Sequence, residues 1–444
     1  MIDETNDAQF LATFARENTS TDPTPRIAVP ASSDPHADRI RSIDVLRGFA
    51  LLGILVVNIQ SFAMVEAAYF NPTAYGDLSG VNRWVWALTH TLADQKMMTI
   101  FGMLFGAGIV LMAAGRERTG RSAAAAHYRR MAALIPFGLV HAYCLWHGDI
   151  LVTYALCGMV AYPFRRLRPA LLLPIGVFVL SIASGLFLLA GWSIRFWPPE
   201  TISEFSAEMA PSSEMIAAEL ATYRGNWLRQ MHHRLPTALM FQTFIFGIWA
   251  FWRALGLMLI GMALFKLGVF SAERPTRFYA ALFGVGLLIG VPLICYGAYR
   301  SFEYGWESPY TFFISSQFNY WASLLVALGW VGAVMLVCRA NGRASVAVGP
   351  LAAVGRLALS NYLLQTILCT TLFYGHGFGL FGRVERIGQL AIVVAIWALQ
   401  LAWSPLWLRR FTMGPAEWLW RSLTYGKMSP LRRPAAAARP APVG

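Results

Sequence analysis

Apolar stretches of about twenty residues recur along most of this chain and restrict its fold more than any other feature. A helix needs roughly twenty apolar residues to cross a bilayer, where only helices and closed barrels satisfy their backbone polar groups. The chain of 444 residues is 57% hydrophobic and 13% charged, whereas a soluble domain has about 25% charged residues. We therefore predict an all-α fold, a polytopic transmembrane bundle with about ten spans. The predicted spans are about 44–64, 95–114, 129–146, 149–164, 170–192, 237–268, 277–299, 311–338, 350–374 and 387–408.

Polar segments divide this series of spans into parts. Residues 1–38 are rich in Pro, Ser, Thr and Asp and lack the apolar core of a signal peptide, which predicts a disordered tail. Residues 39–193 are expected to form an N-terminal membrane half of five spans, and residues 237–428 a C-terminal half of five spans with an interfacial helix. Residues 194–236 predict an external connection with surface helices, and residues 429–444 a second disordered tail.

The basic residues of the chain are distributed as expected for a protein that crosses a membrane several times. A net charge of +13 is compatible with nucleic-acid binding, but the arginines lie in short clusters between apolar spans, as the positive-inside rule requires. Every basic cluster follows an even-numbered span or lies near a terminus. This pattern predicts that both termini are cytoplasmic, that the lipid bilayer is the main partner, and that there is no nucleic-acid partner. The cysteines lie in apolar spans and predict buried thiols.

One motif places ionisable residues between two apolar spans. His141, His147 and Asp149 lie within nine residues, and an ionisable group at membrane depth costs roughly 2.5–3.5 kcal/mol, which makes it a functional candidate. The Gly148-Asp149 step predicts a break between two helices. Asp149 either caps the second helix or orients His141 as a general base, and His141 is alternatively a packing residue. We interpret His147 as a solvated loop residue and predict no metal, because the spacing matches no metal motif.

Further polar residues are expected at the depth of this motif. The predicted topology places Asn58, His90, Asp94 and Lys96 toward the outer halves of the first two spans. If these helices face the His141–Asp149 turn, their polar side chains line one cavity.

Five motifs in order resemble the YeiB family of bacterial membrane proteins and cover about residues 39–428. They are Ile43–Ile59, Asp94–Gly108, Gly138–Leu151, Gly355–Gln365 and Gly414–Arg421. The resemblance implies a multi-pass protein of the bacterial cytoplasmic (inner) membrane.

The first helix, which contains Arg47-Gly48, is also similar to that of transmembrane acyltransferases. These include sugar O-acyltransferases and heparan-α-glucosaminide N-acetyltransferase. The similarity implies acyl-CoA as donor substrate and transfer of the acyl group to a hydroxyl or amine acceptor on the periplasmic side. The O-acyltransferases place their catalytic His eleven residues after the Arg, where this chain has Asn58. The base would therefore be His90, His141 or His147.

Basic side chains supply the other candidate ligands of the donor. Arg47 lies beside Asp44, which predicts either an ion pair that anchors the helix or, by the resemblance, a ligand for acyl-CoA. Arg129 and Arg130 fit the nucleotide phosphate, because guanidinium groups match phosphate oxygens. Arg356 opens the fourth family motif and is included as a substrate-binding candidate.

Two amide side chains and a short helix are the remaining candidate features. Asn361 and Gln365 are four residues apart and share one helix face, where they either bind the ligand or bridge helices. Glu417 and Arg421 share a face of a helix that starts at Pro415, and we interpret them as a structural clamp.

The sequence supports an acyltransferase and two alternatives. In the acyltransferase, His141 removes the acceptor proton, Asp149 holds the imidazole, and Asn58 and Lys96 stabilise the oxyanion. The alternatives are a transporter of a small or lipid-like solute, whose path would also carry intramembrane polar residues, and a non-catalytic assembly or sensory protein. The acceptor is unknown, a homo-oligomer is compatible with the sequence, and whether residues 194–236 cover the cavity is open.

Overall fold

The computed structural model of the protein describes residues 40–306, 309–340 and 343–433, with only the backbone for residues 343–347. The tail predicted for residues 1–38 lies outside them. Residues 429–433, the first part of the second predicted tail, contact the neighbouring helices. The backbone N–H of Thr412 donates to the carbonyl of Leu431 at 2.9 Å, and the Trp418 indole donates to the carbonyl of Ser429 at 2.7 Å. Residues 434–444 lie outside the described chain.

The described residues form helices and no β-strand apart from one isolated bridge. Wide π-helical turns join several helices, notably at His141–Leu145 and Phe241–Ala250. The α-helices are α1 Arg41–Ala63, α2 Ala67–Phe70, α3 Gly80–Leu92, α4 Lys96–Arg118, α5 Ala123–Val140, α6 Leu151–Ala161, α7 Pro169–Ser193, α8 Pro199–Met209, α9 Ser213–Tyr223, α10 Trp227–Met240, α11 Phe251–Lys266, α12 Thr276–Val285, α13 Val291–Glu303, α14 Ser316–Arg339, α15 Arg343–Arg356, α16 Ala358–Phe373, α17 Arg386–Arg410 and α18 Pro415–Tyr425.

Seven helical stretches of the described chain are long and apolar enough to cross a bilayer. An eighth is added if α15 and α16, which meet at an angle of 85°, are one broken span. The prediction of a polytopic helical membrane protein is confirmed. The count of ten spans and the cytoplasmic termini stay predictions, since the third and fourth predicted spans correspond to α5 and α6, with 18 and 11 residues. The span predicted for residues 350–374 stays a prediction, because the chain bends by 85° between α15 and α16.

Two helices begin earlier than the sequence predicted. Residues 66–92 were expected to be a polar connection, but α3 lies there, and residues 80–118 form one helical stretch. Residues 227–266 form another, whose start was predicted at residue 237. Both α3 and α10 mix apolar and polar residues, so averaged hydropathy misses them while an amphipathic helix still forms.

Basic loops from several connections lie together at one end of the bundle, which we call the basic end. Glu117 at the end of α4 pairs with Arg165 at 3.1 Å and with Arg166 at 3.5 Å. The Lys266 ammonium at the end of α11 donates to the carbonyl of Leu167 at 2.7 Å. The structure therefore brings together the clusters that the positive-inside pattern groups on one side.

The opposite end is overlaid by α8, α9 and α10, which we call the cover. The Asn71 amide donates to the carbonyl of Met209 in α8 at 3.2 Å, and Arg224 after α9 donates to the carbonyl of Phe381 at 2.8 Å. Residues 194–236, predicted as a connection with surface helices, thus contain helices that pack on the loops of the membrane bundle.

Close helix contacts hold the centre of the bundle. A Cβ atom on Gly106 of α4 would overlap the carbonyl of Met258 on α11, and Gly261 of α11 lies equally close to the carbonyl of Met103. The two backbones therefore touch, because glycine lets neighbouring helices approach closely. Gly108 takes no part, because a Cβ there would have no neighbour within 4 Å.

Candidate functional site

A hydrogen-bonded row of three side chains lies at the break between α5 and α6. His141 Nδ1 is 3.0 Å from Asp149 Oδ1, and His141 Nε2 is 2.9 Å from Thr366 Oγ1. The predicted break is confirmed, since the π-helical turn after α5 ends at residue 145 and α6 starts at residue 151. The side chains of His141 and Asp149 are each 1% exposed. We call Thr366, His141 and Asp149 the histidine array.

The partners of His141 determine where its proton lies. An ionised carboxylate only accepts hydrogen bonds, so the Nδ1–H of a neutral imidazole donates to Asp149. Nε2 is then an acceptor, and we assign the Thr366 hydroxyl proton to it, since Nε2 lies 2.9 Å from Oγ1 whereas the other acceptor in reach, the Tyr362 carbonyl, lies 3.4 Å away. This tautomer, assigned from the network, is the one that a general base uses.

Asp149 caps α6 and holds the His141 ring at the same time, while the role of His141 as a general base stays a prediction. One oxygen accepts from His141, while Oδ2 accepts the backbone N–H of Val152 in the first turn of α6 at 2.9 Å. The capping interaction fixes the carboxylate, and the carboxylate fixes the ring. The alternatives that the sequence left open are therefore compatible with each other.

Neighbouring residues hold the array tightly. A Cβ atom on Gly138 would lie 2.8 Å from Asp149 Oδ2 and 2.7 Å from the backbone nitrogen of Val152, so only glycine allows α5 to approach so closely. The His141 ring centroid is 4.9 Å from that of Tyr362 and 6.2 Å from that of Trp146. These contacts leave the ring little freedom to turn.

The cover lies over the array. Arg234 Nη1 and the Trp227 indole, both on α10, donate to the carbonyl of Cys144 at 2.8 and 3.0 Å. His147 is only 7% exposed, and its ring centroid is 5.6 Å from that of Phe241. The interpretation of His147 as a solvated loop residue was wrong, because α10 and the π-helical turn after it fold over this loop.

A second buried polar cluster surrounds Lys96 at the start of α4. Its ammonium donates to Asn319 Oδ1 at 2.5 Å and to the carbonyl of His90 at 2.6 Å. Asn319 Nδ2 in turn donates to Asp94 Oδ2 at 2.7 Å, and Lys96 is 0% exposed. We call His90, Asp94, Lys96 and Asn319 the lysine cluster.

The outer polar residues form two separate hydrogen-bonded groups, and the cavity that they were expected to share stays a prediction. No hydrogen bond, ion pair or ring contact among the described residues joins the lysine cluster to the histidine array. His90 stacks on Trp86 with ring centroids 5.2 Å apart. Asn58 lies partly buried on α1. The roles predicted for Asn58, His90 and Lys96 stay predictions.

Arg253 adds a second buried cation beside the lysine cluster. It is 3% exposed, and its guanidinium donates to Thr99 Oγ1 at 3.1 Å, to Ser323 Oγ at 2.8 Å and to the carbonyl of Tyr320 at 3.2 Å. These three partners are neutral. Arg253 lies within electrostatic range of the lysine cluster, so two cations face the single carboxylate of Asp94 there.

Arg130 at the basic end lies within electrostatic range of Arg47 and Arg421, and we call these three the arginine cluster. The Arg130 guanidinium carbon is 4.3 Å from the Trp420 ring centroid. Arg47 Nη1 pairs with Asp44 Oδ1 at 3.0 Å, which confirms the predicted ion pair. Guanidinium groups can bind phosphate.

The other two predicted arginines lie on α5 and at the end of α15. Arg129 is exposed and donates to the carbonyl of Ala125 in its own helix at 3.2 Å. Arg356 Nη2, at the end of α15, is 3.5 Å from the carbonyl of Thr412. Their predicted role in substrate binding stays a prediction.

The two predicted amides bridge α16 and α17. Asn361 donates to Ser404 Oγ at 3.1 Å and accepts from the Trp403 indole at 2.9 Å. Gln365 donates to Gln400 Oε1 at 2.9 Å. Because Asn361 and Gln365 are 0% and 3% exposed, the structure supports the bridging interpretation over ligand binding.

Glu417 holds the bend between α15 and α16. Its Oε1 accepts the backbone N–H of Leu359 at 2.7 Å, and its Oε2 accepts the Ser360 hydroxyl. An acidic side chain at a helix N-terminus satisfies free N–H groups and complements the helix dipole. The predicted clamp is therefore confirmed for Glu417, although its partner is α16.

Metal binding finds no support among the described residues, where no group of three His, Cys, Asp or Glu side chains is close enough together to hold an ion. His141 and Asp149 are instead engaged with each other, with Thr366 and with the backbone.

Sequence reasoning missed several residues of these clusters. Asn319 and Arg253 lie inside predicted spans, and the cost of burying polar groups in a membrane would have identified them. Thr366 follows the family motif that ends at Gln365, but a single Thr in an apolar helix is common. Its position opposite His141 depends on tertiary structure alone.

Comparisons with known proteins extend over both membrane halves. Residues 264–427 match a family model described as "Protein of unknown function (DUF418)". The chain is 31% identical over 402 residues to the Escherichia coli (strain K12) protein described as "Uncharacterized protein YeiB", which covers 88% of this chain and 98% of that protein.

Two further bacterial proteins are similar over nearly their whole length. One is "Uncharacterized protein YxaH" of Bacillus subtilis (strain 168), 29% identical over 415 residues, with 89% of this chain and 96% of that protein covered. The other is an "Uncharacterized 39.9 kDa protein in amylase 3'region" of Bacillus acidopullulyticus, 27% identical over 406 residues, with 90% and 98% covered.

Proposed function

This chain belongs to the YeiB family of bacterial membrane proteins, and on that premise we propose that it is an acyltransferase that uses acyl-CoA. The acyl group would pass from a cytosolic donor to a hydroxyl or amine acceptor at the covered end. We place the covered end on the periplasmic side of the cytoplasmic membrane, because the basic end satisfies the positive-inside rule.

The histidine array is the observation that carries this proposal. A buried imidazole with one nitrogen fixed by a carboxylate and the other directed at a hydroxyl is the arrangement of a general base. Such a base is needed to deprotonate the acceptor in acyl transfer. The lysine cluster also pairs an imidazole with a carboxylate, but His90 Nδ1 is 3.5 Å from Asp94 Oδ2, and that oxygen already accepts from Asn319 at 2.7 Å.

The arginine cluster supports a CoA donor. Arg47 lies eleven residues before Asn58 on α1, and Arg130 lies eleven residues before His141 at the end of α5. At 1.5 Å per residue this separation is roughly 16 Å, or about half of a hydrocarbon core of ~30 Å. A donor whose phosphates bind the arginines could therefore extend its pantetheine arm toward the array.

The residues between the two clusters are apolar, which suits a thioester. Leu51 and Leu52 of α1, Leu134 of α5 and Val354 of α15 form one buried group there. Such surroundings exclude water and strengthen electrostatic interactions at the array. His141 Nε2 would take the acceptor proton, and Asp149 would stabilise the resulting imidazolium.

The proposal is tested by acyl-CoA binding and CoA release with the purified full-length protein in nanodiscs. We expect wild type to bind acetyl-CoA and to release CoA slowly. Arg47→Ala and Arg130→Ala should weaken binding by roughly 10- to 100-fold, because each removes a charge-assisted contact of ~1.5–3 kcal/mol. His141→Ala should bind the donor but lose turnover.

Arg121→Ala is the matched control, since Arg121 is an exposed arginine of the same basic end and its loss changes the net charge equally. If no CoA thioester binds, or if the arginine variants bind as wild type does, the acyltransferase proposal is wrong. Solute flux into proteoliposomes without acyl-CoA would then favour the transporter.

A further inference from the structure

We propose that Thr366 is the nucleophile of the transfer, so that the acyl group passes from the donor to the Thr366 hydroxyl and then to the acceptor. This inference rests on the proposed function and specifies its chemical course. It assigns a covalent intermediate to a side chain that no sequence motif identified.

The geometry at Thr366 is that of an activated hydroxyl. Its Oγ1 lies 2.9 Å from His141 Nε2, and His141 Nδ1 lies 3.0 Å from Asp149. Hydroxyl, imidazole and carboxylate in this order form the array that nucleophilic acyl transfer requires on unrelated folds. Asp149 is fixed in turn by the backbone N–H of Val152, so the base is already oriented.

Access to the base favours Thr366 over a direct attack by the acceptor. Nε2 has one in-plane lone pair, and the Thr366 hydroxyl occupies it. Tyr362 and Trp146 pack around the imidazole, and His141 is 1% exposed. An incoming acceptor would have to displace Thr366 before it could reach Nε2, whereas Thr366 needs no rearrangement to be deprotonated.

Burial suits an ester on Thr366. Thr366 is 1% exposed and lies on α16 beneath the cover. A water-excluded position protects an ester from hydrolysis until the acceptor arrives. A covalent intermediate also allows CoA to leave before the acceptor enters. The enclosed site then needs to hold only one substrate at a time.

The two steps balance as follows. Thr366 Oγ attacks the thioester carbonyl, its proton moves to His141 Nε2, the C–S bond breaks, and the thiolate takes that proton to leave as CoA. The acceptor oxygen or nitrogen then attacks the Thr366 ester and gives its proton to Nε2. The C–Oγ bond breaks, and Oγ recovers the proton.

The experiment measures exchange of isotopically labelled CoA into acetyl-CoA by the full-length protein without any acceptor. Exchange requires an acyl-enzyme, because a direct transfer to the acceptor cannot reverse before the acceptor binds. We expect exchange in wild type and Thr366→Ser, and a loss of at least ~100-fold in Thr366→Val, since activation of the hydroxyl contributes roughly that much. Acid-quenched wild type should carry an acetyl group on the peptide that contains Thr366.

Thr370→Val is the matched control. Thr370 lies one turn further along α16 and donates only to backbone carbonyls of its own helix, so its loss should leave exchange near the wild-type rate. Acetyl-CoA binding by Thr366→Val shows whether that variant is folded.

The outcomes separate the two proposals. If acceptor-dependent transfer occurs but exchange and the acetylated peptide are absent, or if Thr366→Val transfers at the wild-type rate, Thr366 is a hydrogen-bond partner of His141 and this inference is wrong. If the wild type neither binds acetyl-CoA nor releases CoA, the proposed function itself is wrong.

Discussion

The histidine array and the lysine cluster are both buried polar groups of one helical bundle, but they differ in what they leave available. In the array, Asp149 engages one ring nitrogen, and the other nitrogen is an acceptor that faces a hydroxyl. In the lysine cluster, Asn319 and the carbonyl of His90 accept from the ammonium, and the Tyr69 hydroxyl donates to the Asp94 carboxylate at 3.2 Å and not to an imidazole nitrogen. The first arrangement can move a proton, while the second joins α3, α4 and α14.

The largest expected difference concerns the two aspartates. Asp149→Asn should lower the rate of CoA release by roughly 10²- to 10⁴-fold, because an amide cannot hold the tautomer that leaves Nε2 as the acceptor. The Asn oxygen can still accept from Val152, so the helix start is preserved. Asp94→Asn should change the rate by a factor of a few only. Equal losses of rate in the two variants would abolish the distinction between the clusters.

For the free energy of unfolding we expect the opposite order, with a larger effect from the lysine cluster than from the histidine array. Lys96→Met removes the donor to Asn319 and to the His90 carbonyl and leaves Asp94 with Arg253 as its remaining cation, which should cost about 1–3 kcal/mol for each buried acceptor left without a partner. Thermal unfolding in nanodiscs measures this loss. The double variant Lys96→Met with Asp94→Asn should recover part of it, and the absence of any recovery would show that the two side chains do not act together.

A smaller effect is expected at Gly138, whose contacts position the array. Gly138→Ala places a methyl group against Asp149 and Val152, which should cost about 1–3 kcal/mol of stability by overpacking and lower the rate of CoA release. Gly108→Ala is the control, since its methyl group meets nothing within 4 Å and alanine favours a helix. If both variants had the same stability and the same rate of CoA release, the close contact of Gly138 with Asp149 would not contribute to either.

The smallest expected effect is the pH dependence of the cover. Desolvation raises the pKa of Glu66 to about 7, with the charge of Glu208 adding to it. Desolvation also raises the pKa of Glu219 to about 7, where its hydrogen bond from the Glu66 backbone opposes the shift and the Glu66 charge adds to it. Between pH 4.5 and 7 the folded state therefore binds more protons than the unfolded state, so stability falls as pH rises.

Hydrogen exchange of the cover should accordingly be slower at pH 5 than at pH 8, after correction for the intrinsic exchange rate. Glu219→Gln keeps the oxygen that accepts from the Glu66 backbone at 2.9 Å and should reduce this pH dependence. A pH dependence unchanged by that substitution would exclude Glu219 as its source. The histidine array should not respond to Glu219→Gln.

Much of the fold could be predicted, because membrane crossing imposes strong local rules. Long apolar stretches, the break at Gly148 and the role of Asp149 followed from residue order alone. The amphipathic helices α3 and α10 were missed, since their polar faces lower the average hydropathy. His147 was misplaced for a related reason: α10, which covers it, lies some eighty residues further along the chain.

The sequence by itself determined that this protein is a helical membrane bundle of the YeiB family with a candidate base at His141. Hydropathy and motif order are properties of consecutive residues, so the sequence shows them directly. Only the tertiary structure decided that Thr366 faces His141, that Lys96 belongs to a separate cluster, and that Arg47 lies within electrostatic range of Arg130. These pairings arise from how distant helices pack, and side-chain packing between helices leaves no trace in local sequence.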